Sequence, residues 1–285
     1  MNKNHLKLSS ALLLAAAPFA KGVIIAEDSF LIGTDPSVGE YALGSVIGQN
    51  PNNLGFNGAW IGIAGTANTT QTTGLTFGDL ATAGGSLTKP GGNSRAGRLL
   101  SDTYDANTSG IIYFSYLMQV DSANDGSYRA FETFDQSNAD SARSIRIGVG
   151  GGANGFQSNT NLGLRIGDGP VTDLGAMTLS PTLIVGKIDF GSFPGSDIVT
   201  IYRDPTDLLV EANNTVTGEI VGTDVAFDRI AFALFTDSPV TFDELRIATT
   251  FSEVTPIPEV SGGVFILFGG PLFFALGRRR FSVDS

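Results

Sequence analysis

Between residues 23 and 255, apolar and polar side chains alternate along much of the chain in the two-residue rhythm of a strand with one wet face. The clearest runs are Ile111–Val120, Tyr128–Phe134, Ser144–Val149, Leu162–Ile166, Leu183–Phe190, Ile198–Tyr202, Arg229–Phe235 and Thr241–Ile247. In Arg143–Val149 the apolar side chains fall on odd positions, and in the run from Phe227 the side chains of Phe232 and Leu234 share one face. Turn residues separate these runs: Asn124-Asp125-Gly126, Gly150-Gly151-Gly152, Gly167-Asp168-Gly169-Pro170 and Phe193-Pro194-Gly195. Helical periodicity is almost absent. Eight or more strands in about 230 residues predict a single all-β domain, a two-sheet antiparallel sandwich or jelly roll. No internal repeat or dividing linker interrupts it, and the Thr/Asn/Gly stretch from Gly65 to Gly74 reads as a loop or edge segment.

Composition narrows the chemistry. The chain of 285 residues has no cysteine and one histidine, His5, which lies in an N-terminal stretch expected to be removed. That excludes Ser-His-Asp and Cys-His nucleophilic machinery, zinc held by His or Cys, iron–sulfur clusters and disulfide staples from the mature domain. Residues 23–256 hold 11 Lys+Arg against 26 Asp+Glu, a net charge of −15. So acidic a surface repels phosphate backbones, so nucleic acid is not an expected partner.

The two ends have a different pattern. Lys3 and Lys7 precede the apolar run Leu12–Ala17 and then small residues, the layout of a secretory signal over residues 1–22, with cleavage after Gly22 or near Ala26; a buried N-terminal helix is the alternative. At the other end, residues 256–285 run through Pro258-Glu259-Val260, an uncharged stretch to Leu276, and Arg278-Arg279-Arg280. Val260 to Leu276 is 17 residues, about 26 Å as helix against a hydrocarbon core of about 30 Å, so it predicts a short membrane helix. Gly269-Gly270-Pro271 interrupts it, and the three arginines hold its end in the cytoplasm with the large domain on the far side.

Pro-Glu, a short apolar helix and an arginine cluster resemble the PEP-CTERM sorting signal of Gram-negative bacteria that make exopolysaccharide. The resemblance covers Pro258, Glu259, Arg278, Arg279 and Arg280; Val260 stands where the family has a second proline. It implies an exosortase as partner, a membrane-anchored precursor, and final placement at the cell surface or in an exopolysaccharide matrix. A simple uncut anchor is the alternative. A second resemblance rests on the order of Leu183–Phe190, Asp197–Tyr202, Phe227–Ile230 and Phe242–Thr250. This series is similar to the concanavalin A-like, LamG-type jelly roll of PEP-CTERM proteins in planctomycete- and verrucomicrobia-like bacteria. There an Asp-Glu-x-Arg-Ile strand closes the domain before the tail. The resemblance implies a carbohydrate-binding or matrix-interaction module, with a structural surface protein lacking a specific ligand as the alternative.

Glycosidases share that fold, and retaining hydrolysis needs two carboxylates about 5–5.5 Å apart. Strand alternation sends Glu132 and Asp135, and likewise the adjacent Asp243 and Glu244, to opposite faces, so the expectation is a non-enzymatic domain with no required cofactor. Calcium is the metal that oxygen-rich loops suit. Asp121, Asn124 and Asp125, with Gly126 letting the chain turn, form the best local set, and Asp102 with Asp105 a second; solvated turns are the alternative for both. Trp60, the one tryptophan, lies among glycines and reads either as a core anchor or as a sugar-stacking platform. Asp189, Asp228, Asp243, Arg229 and Arg246 are expected to pair across neighbouring strands.

Overall fold

A computed structural model describes residues 22–258, except 66–67, 90–91, 106, 109, 123–125, 153–154, 192–194 and 236–238. The expected signal segment, the apolar tail helix, Glu259 and Arg278–Arg280 lie outside the described residues. In chain order the strands are β1 (Ile24–Asp28), β2 (Gly44–Ser45), β3 (Phe56–Ala64), β4 (Thr69–Gln71), β5 (Ser86–Lys89), β6 (Asn93–Tyr104), β7 (Gly110–Val120) and β8 (Tyr128–Phe134). They continue with β9 (Arg143–Val149), β10 (Asn161–Ile166), β11 (Thr172–Ala176), β12 (Thr182–Phe190), β13 (Asp197–Arg203), β14 (Gly218–Thr223), β15 (Phe227–Phe235) and β16 (Val240–Ala248); one helical turn, α1 (Phe251–Val254), follows.

These strands make two antiparallel sheets packed as a sandwich, as the alternation predicts. One has the order β14-β13-β12-β7-β16-β5-β4-β2, with β1 also paired to β16; the other runs β11-β10-β9-β8-β15-β6-β3. The core fills the space between them with the inward half of each strand, including Ile145 and Ile147 from β9 and Ile230, Phe232 and Leu234 from β15. Aromatic rings run through its middle: Phe232 stacks on Trp60 at 6.1 Å and meets Phe242 at 4.6 Å, and Tyr116 stacks on Phe131 at 4.8 Å.

A second apolar cluster lies on the outer side of the nine-stranded sheet. Tyr113, Leu117, Leu183, Val185 and Tyr202 project from it and are covered by Leu75 and Leu80, by Phe251 and Val254 of α1, and by partly buried Phe77 and Leu208. Part of the cover is the 14-residue connection 72–85, the strap, which joins the paired strands β4 and β5 and folds back across the sheet. The strap is the feature that positions the candidate site.

β16 changes partner beneath it. Along one edge β16 pairs with β7; along the other, Val240–Phe242 pair with β5 and Leu245–Ala248 with β1. Asp243 and Glu244 fall in the gap. There Asp243 is opposite Leu117 but Arg246 is opposite Ser115, so β16 carries one extra residue, a β-bulge, and Glu244 takes a left-handed conformation with φ of 53°.

Candidate functional site

The bulge overturns the expectation that Asp243 and Glu244 diverge. Phe242 and Leu245 both enter the core, and the two residues between them both turn outward beneath the strap. Asp243 accepts the Leu75 amide through Oδ2 at 2.7 Å and the Glu244 amide through Oδ1 at 2.8 Å. Glu244 accepts the Ala83 amide and, at 2.8 Å, the Arg246 guanidinium. Arg246 also donates to the Ala81 carbonyl at 3.1 Å and pairs with Glu27 at 2.9 Å, the charge pairing across neighbouring strands that the sequence leads one to expect. Burial, with the neighbouring Glu244 charge adding to it, pushes Asp243 up to about 8; burial pushes Glu244 up to about 7, with Arg246 opposing.

Directly beside this pair the strap forms one wall of an open cleft of about 430 Å³. Gln71 comes from β4, Thr73 from the strap, Thr88 from β5, Gln119 from β7, Asp121 from just beyond it, and Thr241 from β16. Leu75 and Pro239 supply its apolar contacts. The lining is a set of hydroxyls and amides with one exposed carboxylate, the groups that exchange hydrogen bonds with a polyol in both directions. Thr88 donates to the Val240 carbonyl at 3.0 Å and Gln119 to Leu179 at 2.8 Å, which fixes both side chains at the cleft.

Of the residues singled out from the sequence, only Asp121 lines this cleft. Asn124 and Asp125 lie outside the described residues. Among the described residues no three Asp, Glu, His or Cys gather closely enough to hold a metal ion. Asp105 turns its carboxylate to the Asn107 amide at 2.8 Å, as a solvated turn does, and Asp102 is exposed. Trp60 is 1% exposed: its ring fills the core, and its Nε1 donates to the Tyr41 hydroxyl at 2.7 Å, so it offers no stacking face to solvent and stands as the core anchor. Pro258 is described and exposed.

The outer side of the seven-stranded sheet uses its charges differently. Glu132, fully buried, pairs with Arg95 at 2.7 Å and Arg143 at 3.3 Å and accepts the Tyr128 hydroxyl at 2.7 Å. Asp135 lies apart from it, lining a separate cavity of about 370 Å³ with Arg143, Ser144 and Asp224. Glu132 is thus committed to a structural network.

No protein-family model and no curated protein matches the chain. Solved structures with a similar course include a carbohydrate esterase from the Shiga toxin-encoding bacteriophage phi24B, at 11% identity and TM-score 0.42, covering 73% of this chain and 99% of that one. The lectin UEA-II in complex with galactose has 10% identity and TM-score 0.40, covering 68% and 95%. The cellulose induced protein Cip1 has 13% identity and TM-score 0.43, covering 79% and 97%.

Proposed function

We propose that this protein is an exported, non-enzymatic carbohydrate-binding or matrix-interaction module, carried out by its N-terminal signal and passed to an exosortase by its C-terminal tail. The observation that carries the binding reading is the cleft between the strap and the ends of β7 and β16. Its hydroxyl, amide and carboxylate groups suit a neutral or weakly polar glycan, and Leu75 with Pro239 gives the C–H face of a sugar ring a place to rest. The non-enzymatic reading is supported by the fate of the acids: Asp243 and Glu244 are at most 1% exposed and hold backbone amides, and Glu132 is closed off by two arginines.

The test is a glycan array with the full chain, with and without calcium. Binding is expected, and Gln119→Ala or Asp121→Ala is expected to weaken it about tenfold, the value of one lost hydrogen bond of about 1.4 kcal/mol. An array blank under both conditions sinks the binding reading in favour of a structural surface protein. Release of reducing sugar from the producing organism's polysaccharide overturns the non-enzymatic one. For sorting, deleting the exosortase is expected to leave a larger, membrane-retained form; unchanged size and location would remove the sorting reading.

A further inference from the structure

Over the middle of its length the strap pairs with no strand and is held by individual contacts. Its ends are fixed by the β4–β5 ladder, where Gln71 pairs with Ser86, and between them it is held by apolar contacts, by the Ala81 amide on the Pro256 carbonyl at 2.7 Å, by Arg246 on the Ala81 carbonyl at 3.1 Å, and by Asp243 and Glu244 accepting the Leu75 and Ala83 amides. It lies tight on those acids: a Cβ at Gly74 would stand 2.7 Å from the Ala83 carbonyl and 3.0 Å from Asp243 Oδ2. The acids occupy the point where β16 is passed from β5 to β1, so the ladder itself does not cover them. The same segment, Thr73 to Leu75, walls the cleft.

We propose that the strap is a proton-operated wall of the cleft: it lies closed while the Asp243–Glu244 pair retains a proton and lifts when both carboxylates are charged.

This deepens the glycan-cleft reading and rests on it for the effect on ligand. The closed strap keeps two adjacent carboxylates out of water, which favours holding protons; the lifted strap returns them to water, where carboxylates release protons to the solvent near pH 4. Closing therefore takes up protons, and raising the pH from about 4 to about 8 favours opening. Burial outweighs the groups that oppose it: Arg246 and the Leu75 and Ala83 amides favour the charged acids, whereas the Glu27 and Asp28 charges favour the protonated ones. Arg246 on β16 is the cation that meets the pair, and it is shared with Glu27 of β1. β1 adds the buried Asp28, whose negative charge also raises Asp243. β7 presents Leu117 and Ser115 across from the bulge, with Tyr113 farther along at the position of Ala248, and β5 presents Ser86. The strap's own acid, Asp79, is exposed, and α1 carries Glu253, partly buried.

The experiment is hydrogen exchange on the full chain between pH 5 and pH 9, with protection corrected for intrinsic rates and β12 as the internal standard. Peptides covering Leu75 and Ala83 are expected to lose protection at least about tenfold relative to β12 as the pH rises, one decade for each unit by which a carboxyl's affinity for its proton differs between closed and lifted forms. Asp243→Asn, which mimics the protonated acid, is expected to keep the strap protected at pH 9. Glu244→Gln repeats the test if that variant does not fold. Strap protection that stays level in the wild-type chain, or falls equally in both variants, overturns the proposal. A blank glycan array with a titrating strap removes the ligand and leaves the gate, whereas a positive array with a level strap removes the gate alone.

Discussion

Tyr41 gathers three distant residues around one hydroxyl. It donates to Asp28, and it accepts from Trp60 at 2.7 Å and from Arg98 at 3.3 Å. All four are almost wholly buried, and burial, opposed by the Tyr41 hydrogen bond and the Arg98 charge, leaves Asp28 raised to about 6. Trp60 read from the sequence either as a core anchor or as a stacking platform, and its partners were not visible, because nothing in the spacing of residues 28, 41, 60 and 98 announces that they meet. Removing one partner of such a buried group leaves the other uncompensated, so Arg98→Met is expected to destabilise the fold by about 3–5 kcal/mol, read as a lower midpoint in urea. Glu132→Ala removes the buried carboxylate between Arg95 and Arg143 but leaves both paired with Asp140, so it is expected to cost less, about 1–3 kcal/mol by the same measurement.

Strands with clean alternation were legible to within a residue or two: Tyr128–Phe134 coincides with β8, and the Leu183–Phe190 run gains only Thr182 in β12. β6 was not, although at 12 residues it is a long inner strand of its sheet. Its sequence, Asn-Ser-Arg-Ala-Gly-Arg-Leu-Leu-Ser-Asp-Thr-Tyr, hides the pattern because its buried positions include Arg95 and Arg98, each neutralised by a carboxylate from elsewhere in the chain. The bulge in β16 defeated the reading in the opposite way. Alternation assigns neighbours to opposite faces, and one extra residue put Asp243 and Glu244 on the same face. The strap above them depends on a close approach at Gly74, so Gly74→Val is expected to destabilise by about 1–3 kcal/mol and to expose the Leu75 amide, checked by thermal melting and hydrogen exchange.

At the scale of the whole molecule, the sandwich was legible because one buried face per strand writes itself into the sequence, whereas the cleft was not, because its lining comes from β4, β5, β7, β16 and the strap and only Asp121 gave a signal. The acids also set a pH dependence for the entire fold. Asp28, Glu244 and Asp243 hold protons in the folded protein up to about pH 6, 7 and 8, against ordinary values of 3.8, 4.5 and 3.8. Between those limits the folded state binds more protons than the unfolded one, so stability falls as the pH rises from about 4 to about 8. Asp35, Asp173 and Asp207 act in reverse: hydrogen bonds from Ser37, Gly175 and Asn213 hold them low, and their contribution is lost as the pH drops below about 4. Melting temperatures are therefore expected to peak between about pH 4 and 5 and to decline towards pH 8. The last described residues carry a further consequence. Thr255 donates to the Leu208 carbonyl at 2.6 Å, Ala81 of the strap donates to the Pro256 carbonyl at 2.7 Å, and the Thr249 amide meets Val23 at 3.0 Å, so both ends of the domain leave from the end of β16. Any force drawing the chain away at Pro258 would be met first by these bonds and then by a strand gripped by β7 on one side and β1 on the other, so the junction would act as a strain-relief fitting for the sandwich.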